Sequence, residues 1–216
     1  MVLRLGVLAS GRGSNLQAII DAIEEGRLQA EVAVVLSNVA TAAALERARR
    51  QGIEALYVDP KGFPDRAAYD RKLVEILRGR GVELVCLAGY MRIITREFID
   101  AFPYRIMNIH PALLPSFPGV NAQRQAWEYG VKISGCTVHF VEEGMDTGPI
   151  ILQAAVPVEE DDTPETLAER ILAFEHQIYP RAIQLYAEGR LRVEGRRVRI
   201  LPPVPVPVEG EAPPCR

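Results

Sequence analysis

Asn108 and His110, two residues apart in Asn108-Ile109-His110-Pro111, are the pair in this chain best suited to chemistry. An amide donor beside an imidazole that titrates near neutrality suits holding an oxyanion while a proton moves. Both close a run, Tyr104 to Ile109, that reads as a strand, and residues two apart on a strand share a face. Pro111 then ends ladder pairing where they emerge. The plain alternative is an Asn and a His satisfied locally at a turn. A carboxylate to complement them is Asp146, the only Asp of the loop Glu142-Glu143-Gly144-Met145-Asp146-Thr147-Gly148-Pro149. Beside an imidazole it would orient the ring and favour its protonated form. An Asp before Thr-Gly is also a frequent turn-former.

A second constellation lies near the N-terminus. Ser10-Gly11-Arg12-Gly13-Ser14-Asn15-Leu16 follows a strand-like run and leads directly into a helical pattern. Glycines let the backbone approach an anion, and the free amides at a helix start hold it. Ser14 and Asn15 can add donors or cap the helix. Leu16 stands where a dinucleotide fingerprint needs its third glycine, and Leu36-Ser37-Asn38 lacks that fingerprint's acidic residue. A triphosphate loop would end in Gly-Lys-Ser/Thr, absent here. The loop suits one phosphate on a small molecule.

The elements that must carry these residues alternate. Strands are predicted at Leu3 to Ala9, Val32 to Leu36, Ala55 to Val58, Val82 to Ala88, Tyr104 to Ile109, Ile133 to Val141 and Ile150 to Val156. Helices are predicted at Leu16 to Gly26, Ala42 to Gln51, Arg66 to Arg80, Thr95 to Phe102 (Thr95 as cap) and Ala122 to Tyr129. A long one runs from the cap Thr163 to Gly189, with a break at Pro180. Leu191 to Leu201 reads as a hairpin turning at Glu194-Gly195. The fold class is α/β: three layers, a mostly parallel twisted sheet with helices on both faces and a Rossmann-like N-terminal half. Residues 1–201 form one domain, and the Pro-rich 202–216 form a flexible tail. Ligands in such sheets bind beyond the carboxyl ends of the strands, which is where both constellations fall.

Composition excludes several classes of function. Net charge is -3, so no basic footprint invites nucleic acid or an anionic membrane. No apolar stretch reaches membrane-spanning length, and no signal peptide opens the chain, which points to a cytoplasmic protein. Three scattered cysteines make neither a disulfide framework nor a metal cluster, and no metal is expected. His139 reads as a packed or hydrogen-bonded histidine rather than a catalyst. Arg47-Ala48-Arg49-Arg50 reads as a solvated helix end.

Taken in order, Ser10 to Asn15, Leu87-Ala88-Gly89-Tyr90-Met91-Arg92-Ile93, Asn108 to Pro111 with Leu113-Leu114-Pro115, Gly135 to Val141 and Asp146 to Ile150 resemble phosphoribosylglycinamide formyltransferases over roughly residues 2–190. The resemblance implies the formyltransferase fold and formyl transfer from 10-formyltetrahydrofolate, as cosubstrate, to glycinamide ribonucleotide in purine biosynthesis. It implies Asn108, His110 and Asp146 as catalytic residues. Gly13, Ser14, Asn15 and Glu175 would bind the ribonucleotide. Arg66, Met91, Arg92, Ile93, Ile94, Asn108, Glu142, Glu143 and Gly144 would bind the formyl-folate. The two small molecules are the expected partners of a monomer or homodimer. A formyltetrahydrofolate hydrolase or methionyl-tRNA formyltransferase would carry a further domain, and a non-enzymatic nucleotide-binding module would bind without turnover.

Overall fold

Leu3–Leu8 (β1) lies between strands on either side and is buried over its last four residues, as a strand covered by helices on both faces must be. In the computed structural model, which describes residues 2–203, β1 is the third strand of a nine-stranded sheet. Ala30–Ser37 (β2), Ala55–Tyr57 (β3), Leu84–Leu87 (β4) and Ile106–His110 (β5) join it in parallel, in the order β3-β2-β1-β4-β5. Ile133–Phe140 (β6) and Ile150–Pro157 (β7) then add antiparallel neighbours. The hairpin Leu191–Glu194 (β8) and Arg197–Ile200 (β9) completes the edge, β9 meeting β7 at Ile150↔Arg197.

Two cores follow from strand alternation. On one face Leu5, Val7, Leu84, Cys86, Met107 and Ile109 pack with Ser14–Glu24 (α1), Ala43–Arg50 (α2) and Pro164–Ala187 (α6). On the other, Leu8, Val85, Leu87 and Ile106 pack with Arg66–Gly79 (α3) and Arg96–Ala101 (α4). Ala122–Tyr129 (α5) lies against α6. Gly6 is required by this layering: a Cβ there would sit 2.4 Å from Leu77 Cδ2 of α3.

Three expectations are corrected. Tyr104 has φ 52, a left-handed turn conformation, so β5 starts only at Ile106 and extends to His110. No break occurs at Pro180: α6 runs through it, with Pro180 buried among apolar neighbours. Thr95 precedes α4 but makes no side-chain cap. The Pro-rich stretch, from residue 204 on, lies outside the described residues. Among those described, no helix is long and apolar enough to cross a membrane. Burial pushes the Cys86 and Cys136 thiols up to about 12, so both behave as small apolar side chains.

Candidate active site

The glycine loop is shaped by close approach. Gly13 caps α1 at φ 72, and a Cβ on it would fall 2.7 Å from Ala44 Cα. Ala44 N–H donates to the Gly11 carbonyl at 3.1 Å, tying the loop to the start of α2. Arg47, expected to be merely solvated, donates from Nε to the Arg12 carbonyl at 2.9 Å and from Nη1 to Gln17 Oε1 at 3.3 Å. It braces the loop from outside, a role that spacing along one helix could not reveal.

Neither Ser14 nor Asn15 caps α1. The Asn15 amide instead donates to Glu175 Oε2 at 2.7 Å, joining the loop to α6, while its Oδ1 is buried without a partner. Glu175 is 5% exposed; burial raises its carboxyl above the usual range, against the pull of the Asn15 bond and the Arg12 charge. A half-satisfied amide beside a buried carboxyl is well made for receiving hydroxyls. Beside Ser14, a hollow of about 320 Å³ opens between α1, Arg47 and His176.

At the carboxyl end of β5 the second constellation assembles. Asp146 takes a left-handed conformation, φ 55, that turns its carboxylate inward. Oδ2 accepts from Gly119 N at 2.8 Å and stands 3.4 Å from His110 Nδ1. Oδ1 stands 3.5 Å from Asn108 Nδ2 and 3.7 Å from His139 Nε2. Asn108, His110 and Asp146 therefore do meet, as expected from the sequence.

The ring protons follow from the acceptors. His110 Nε2 faces the Phe117 carbonyl at 2.8 Å, so it carries a hydrogen, and Nδ1 faces the carboxylate. Acceptors at both nitrogens favour the imidazolium, yet burial prevails and moves His110 below its ordinary range, with Asp146 and Phe117 pulling it back. For Asp146, burial alone would raise the carboxyl. The His139 and Gly119 bonds and the imidazole charges outweigh it and hold the group low. Asp146 is therefore ionised beside a ring poised to gain or lose one proton.

His139, expected to be packed or hydrogen-bonded, is both, and it lies within this cluster. Its Nδ1 donates to the Phe140 carbonyl at 2.8 Å, and its Nε2 lies 3.2 Å from Asn108 Nδ2 and 3.7 Å from Asp146 Oδ1. It holds the amide in place. The signal lay in the pairing Asn108↔His139, readable only once β5 and β6 are known to be antiparallel. The 3.5 Å approach of Asn108 to Asp146 is long for a bond, leaving its second N–H able to turn toward a developing oxyanion.

Beyond β4, Met91 and Ile93 are 70% and 60% exposed, whereas Ile94 is buried and the Arg92 guanidinium lies 4.9 Å over the Tyr69 ring. Arg66 is exposed at the first turn of α3, capped by Asp65, and its charge and that of Arg92 both bear on buried Asp70. The loop with Glu142, Glu143 and Gly144 is fastened by Arg96 Nη1 to Glu143 Oε2 at 3.1 Å and by Arg196 Nη2 to the Thr147 carbonyl at 2.9 Å. Gly144 takes φ 116 there. Among the described residues no cluster of His, Cys, Asp or Glu is arranged to hold a metal ion.

A glycine turn closing β1, with an Asn-His-Asp cluster where parallel pairing gives way to antiparallel, defines a class. The chain belongs to the formyl transferase family, whose profile it matches over residues 3–183. Within it, the chain is 45% identical to the phosphoribosylglycinamide formyltransferase of Escherichia coli, over 87% of this chain and 88% of that one. The crystal structure of glycinamide ribonucleotide transformylase 1 from Symbiobacterium toebii superposes with a TM-score of 0.92 at 63% identity, covering 93% and 95% of the two chains. The trifunctional purine biosynthetic protein adenosine-3 of Drosophila pseudoobscura pseudoobscura is 50% identical over 88% of this chain, which spans only 14% of that protein's length.

Proposed function

We propose that this chain transfers the formyl group of 10-formyltetrahydrofolate to the amine of glycinamide ribonucleotide, giving formylglycinamide ribonucleotide and tetrahydrofolate in purine biosynthesis. The observation that carries the reading is the Asp146 carboxylate, met by His110 on one oxygen and by Asn108 and His139 on the other, beyond the same carboxyl ends of the parallel strands as the Gly13 loop.

The loop Gly13-Ser14-Asn15 holds the ribonucleotide phosphate through amides at the start of α1. Glu175 and Asn15 receive its hydroxyls. Arg66, Met91 to Ile94 and the loop Glu142-Glu143-Gly144 hold the folate, the two exposed apolar side chains of Met91 and Ile93 giving it a surface to lie on. The substrate amine attacks the formyl carbon and forms the new C–N bond, giving a tetrahedral species that then collapses as the bond from that carbon to the folate nitrogen breaks. Asn108 donates to the formyl oxygen while it bears charge, and protonated His110 joins it as its Nε2–H exchanges the Phe117 carbonyl for that oxygen. The proton lost by the attacking nitrogen passes through His110, Asp146 or water to the folate nitrogen. Asp146 stabilises the imidazolium form that this relay needs.

The test is direct. Purified protein with both substrates should produce tetrahydrofolate and formylated ribonucleotide in equal amounts. Release of free formate with no formylated ribonucleotide would instead indicate hydrolysis. Ribonucleotide binding without turnover would indicate a binding module.

A further inference from the structure

The segment Met91–Ile94 is tied at both ends. At its start, Met91 N–H donates to Ser10 Oγ at 2.8 Å, and Ser10 Oγ donates in turn to Asn38 Oδ1 at 2.6 Å. Just beyond its end, Thr95 N–H donates to Asp70 Oδ2 at 2.6 Å. Between the ties, Arg92 and Ile94 grip the protein while Met91 and Ile93 are left exposed. The backbone is thus fixed in an alternation that turns two apolar side chains outward.

Asp70 stands out among the residues of α3. It is 3% exposed, on a helix face otherwise buried by Tyr69, Leu73, Ile76 and Leu77. A carboxylate taken out of water is costly unless bonded, and an apolar side chain would fill this place more cheaply. Its bond goes to the backbone amide of the residue before α4, which a capping box would satisfy from the side chain three positions on, but Phe98 stands there and offers no acceptor. Asp70 therefore supplies from one helix the acceptor missing at the start of another. Ser10 acts similarly at the far end, and it belongs to the turn that leads into Gly13.

We propose that Asp70 and Ser10 are positioning residues for the formyl donor, fixing the two ends of Met91–Ile94 so that the folate surface is formed before the folate arrives. The proposal rests on the functional reading above. Preorganisation of this kind strengthens binding by lowering the ordering cost, without contact to the ligand. Ser10 also fastens the donor segment to the strand end that carries the phosphate loop, giving both halves of the site one frame.

The full chain and its Asp70→Ala, Asp70→Asn and Ser10→Ala variants should be titrated calorimetrically with tetrahydrofolate and, separately, with glycinamide ribonucleotide, alongside steady-state kinetics. Asp70→Ala should weaken tetrahydrofolate binding roughly tenfold, as loss of one charge-assisted bond implies. Ribonucleotide affinity and turnover at saturating donor should remain near wild type. Asp70→Asn, which keeps an oxygen acceptor, should recover part of the loss. Ser10→Ala should give a smaller loss of the same kind, about threefold for one neutral bond. Equal weakening of both ligands, or unaltered folate affinity in the Asp70 and Ser10 variants, overturns the proposal. If Asp70→Ala does not fold, Asp70→Asn and Ser10→Ala carry the same test. A wild-type chain that binds the ribonucleotide but no folate overturns the functional reading itself.

Discussion

The turn after β1 acts through its backbone. Gly13 has no side chain, approaches Ala44 closely and presents the first amides of α1. The loops facing β5 act through side chains, and their backbone is contorted to aim them: Phe117, Asn121 and Asp146 all hold positive φ. Left-handed conformations cost a non-glycine residue roughly 1 kcal/mol each, and such strain gathers where a side chain or carbonyl must point one way. Phe117 turns its carbonyl to His110, and Asp146 turns its carboxylate to the same ring. An anion that needs several equivalent donors is served by a peptide chain alone. A proton that must be given and taken needs specific side chains at set distances. The first kind of site fails when bulk is added, the second when a functional group is removed.

The sharpest way to separate the two regions is to remove single groups near β5. A positioned acid or base contributes ~100- to 10,000-fold and an oxyanion donor ~100- to 1,000-fold. His110→Ala and Asn108→Ala should lower kcat on that order while ribonucleotide affinity, read by calorimetry, stays near wild type. Their combined loss should fall well below the product of the single losses, since the two work on one oxygen. Near-full turnover in His110→Ala would remove it from the chemistry.

Bulk added at Gly13 should do the reverse. Gly13→Val forces a side chain into Ala44 at a φ that valine avoids. Ribonucleotide affinity should fall by about tenfold or more through lost backbone approach, with tetrahydrofolate affinity kept. Equal loss for both ligands would make the turn only structural.

Glu175→Gln probes the bond that ties the first region to α6. Because the folded carboxyl is raised, its favourable contribution is complete below the unfolded value and is lost as pH rises through the folded one. Once pH has risen through that folded value the ionised, buried group opposes folding, so at high pH the amide should raise Tm while weakening the ribonucleotide. A lower Tm there would show that the bond from Asn15 outweighs desolvation.

The smallest effect concerns protons. His110 is depressed in the fold, so its contribution is present above the unfolded value and lost as pH falls through the folded one, adding to acid destabilisation. Asp146→Asn removes the charge that pulls His110 upward. The acidic limb of its pH–rate profile should move to lower pH, beneath the larger fall in kcat. A limb that stays in place would assign it to another group.

Much of this was legible because it is local. The strand–helix alternation, the Gly13 turn and the Asn108/His110 spacing each lie within a dozen residues, where periodicity and turn chemistry speak. The placement of Asp146 beside His110 followed from resemblance more than from pattern. His139, Arg47 and Asp70 were not legible as site residues, because each acts across elements. His139 needs the β5–β6 register, Arg47 needs the approach of α2 to the loop, and Asp70 needs the packing of α3 beside α4. Pro180 misled for a related reason: propensity argues for a break, and tertiary burial of α6 overrides it.

The bond between Asn15 and Glu175 spans 160 residues of sequence. During synthesis the Gly13 turn leaves the ribosome long before its carboxyl partner has been made. A growing chain thus has the Gly13 turn but not the carboxyl that Asn15 meets. By mass action a ligand stabilises only the state that binds it, so any ligand that needs both groups can help this protein only after α6 has docked. Earlier intermediates hold together without it, and a shortage of such a ligand would be felt as lost stability in the finished molecule rather than as a fault in its making.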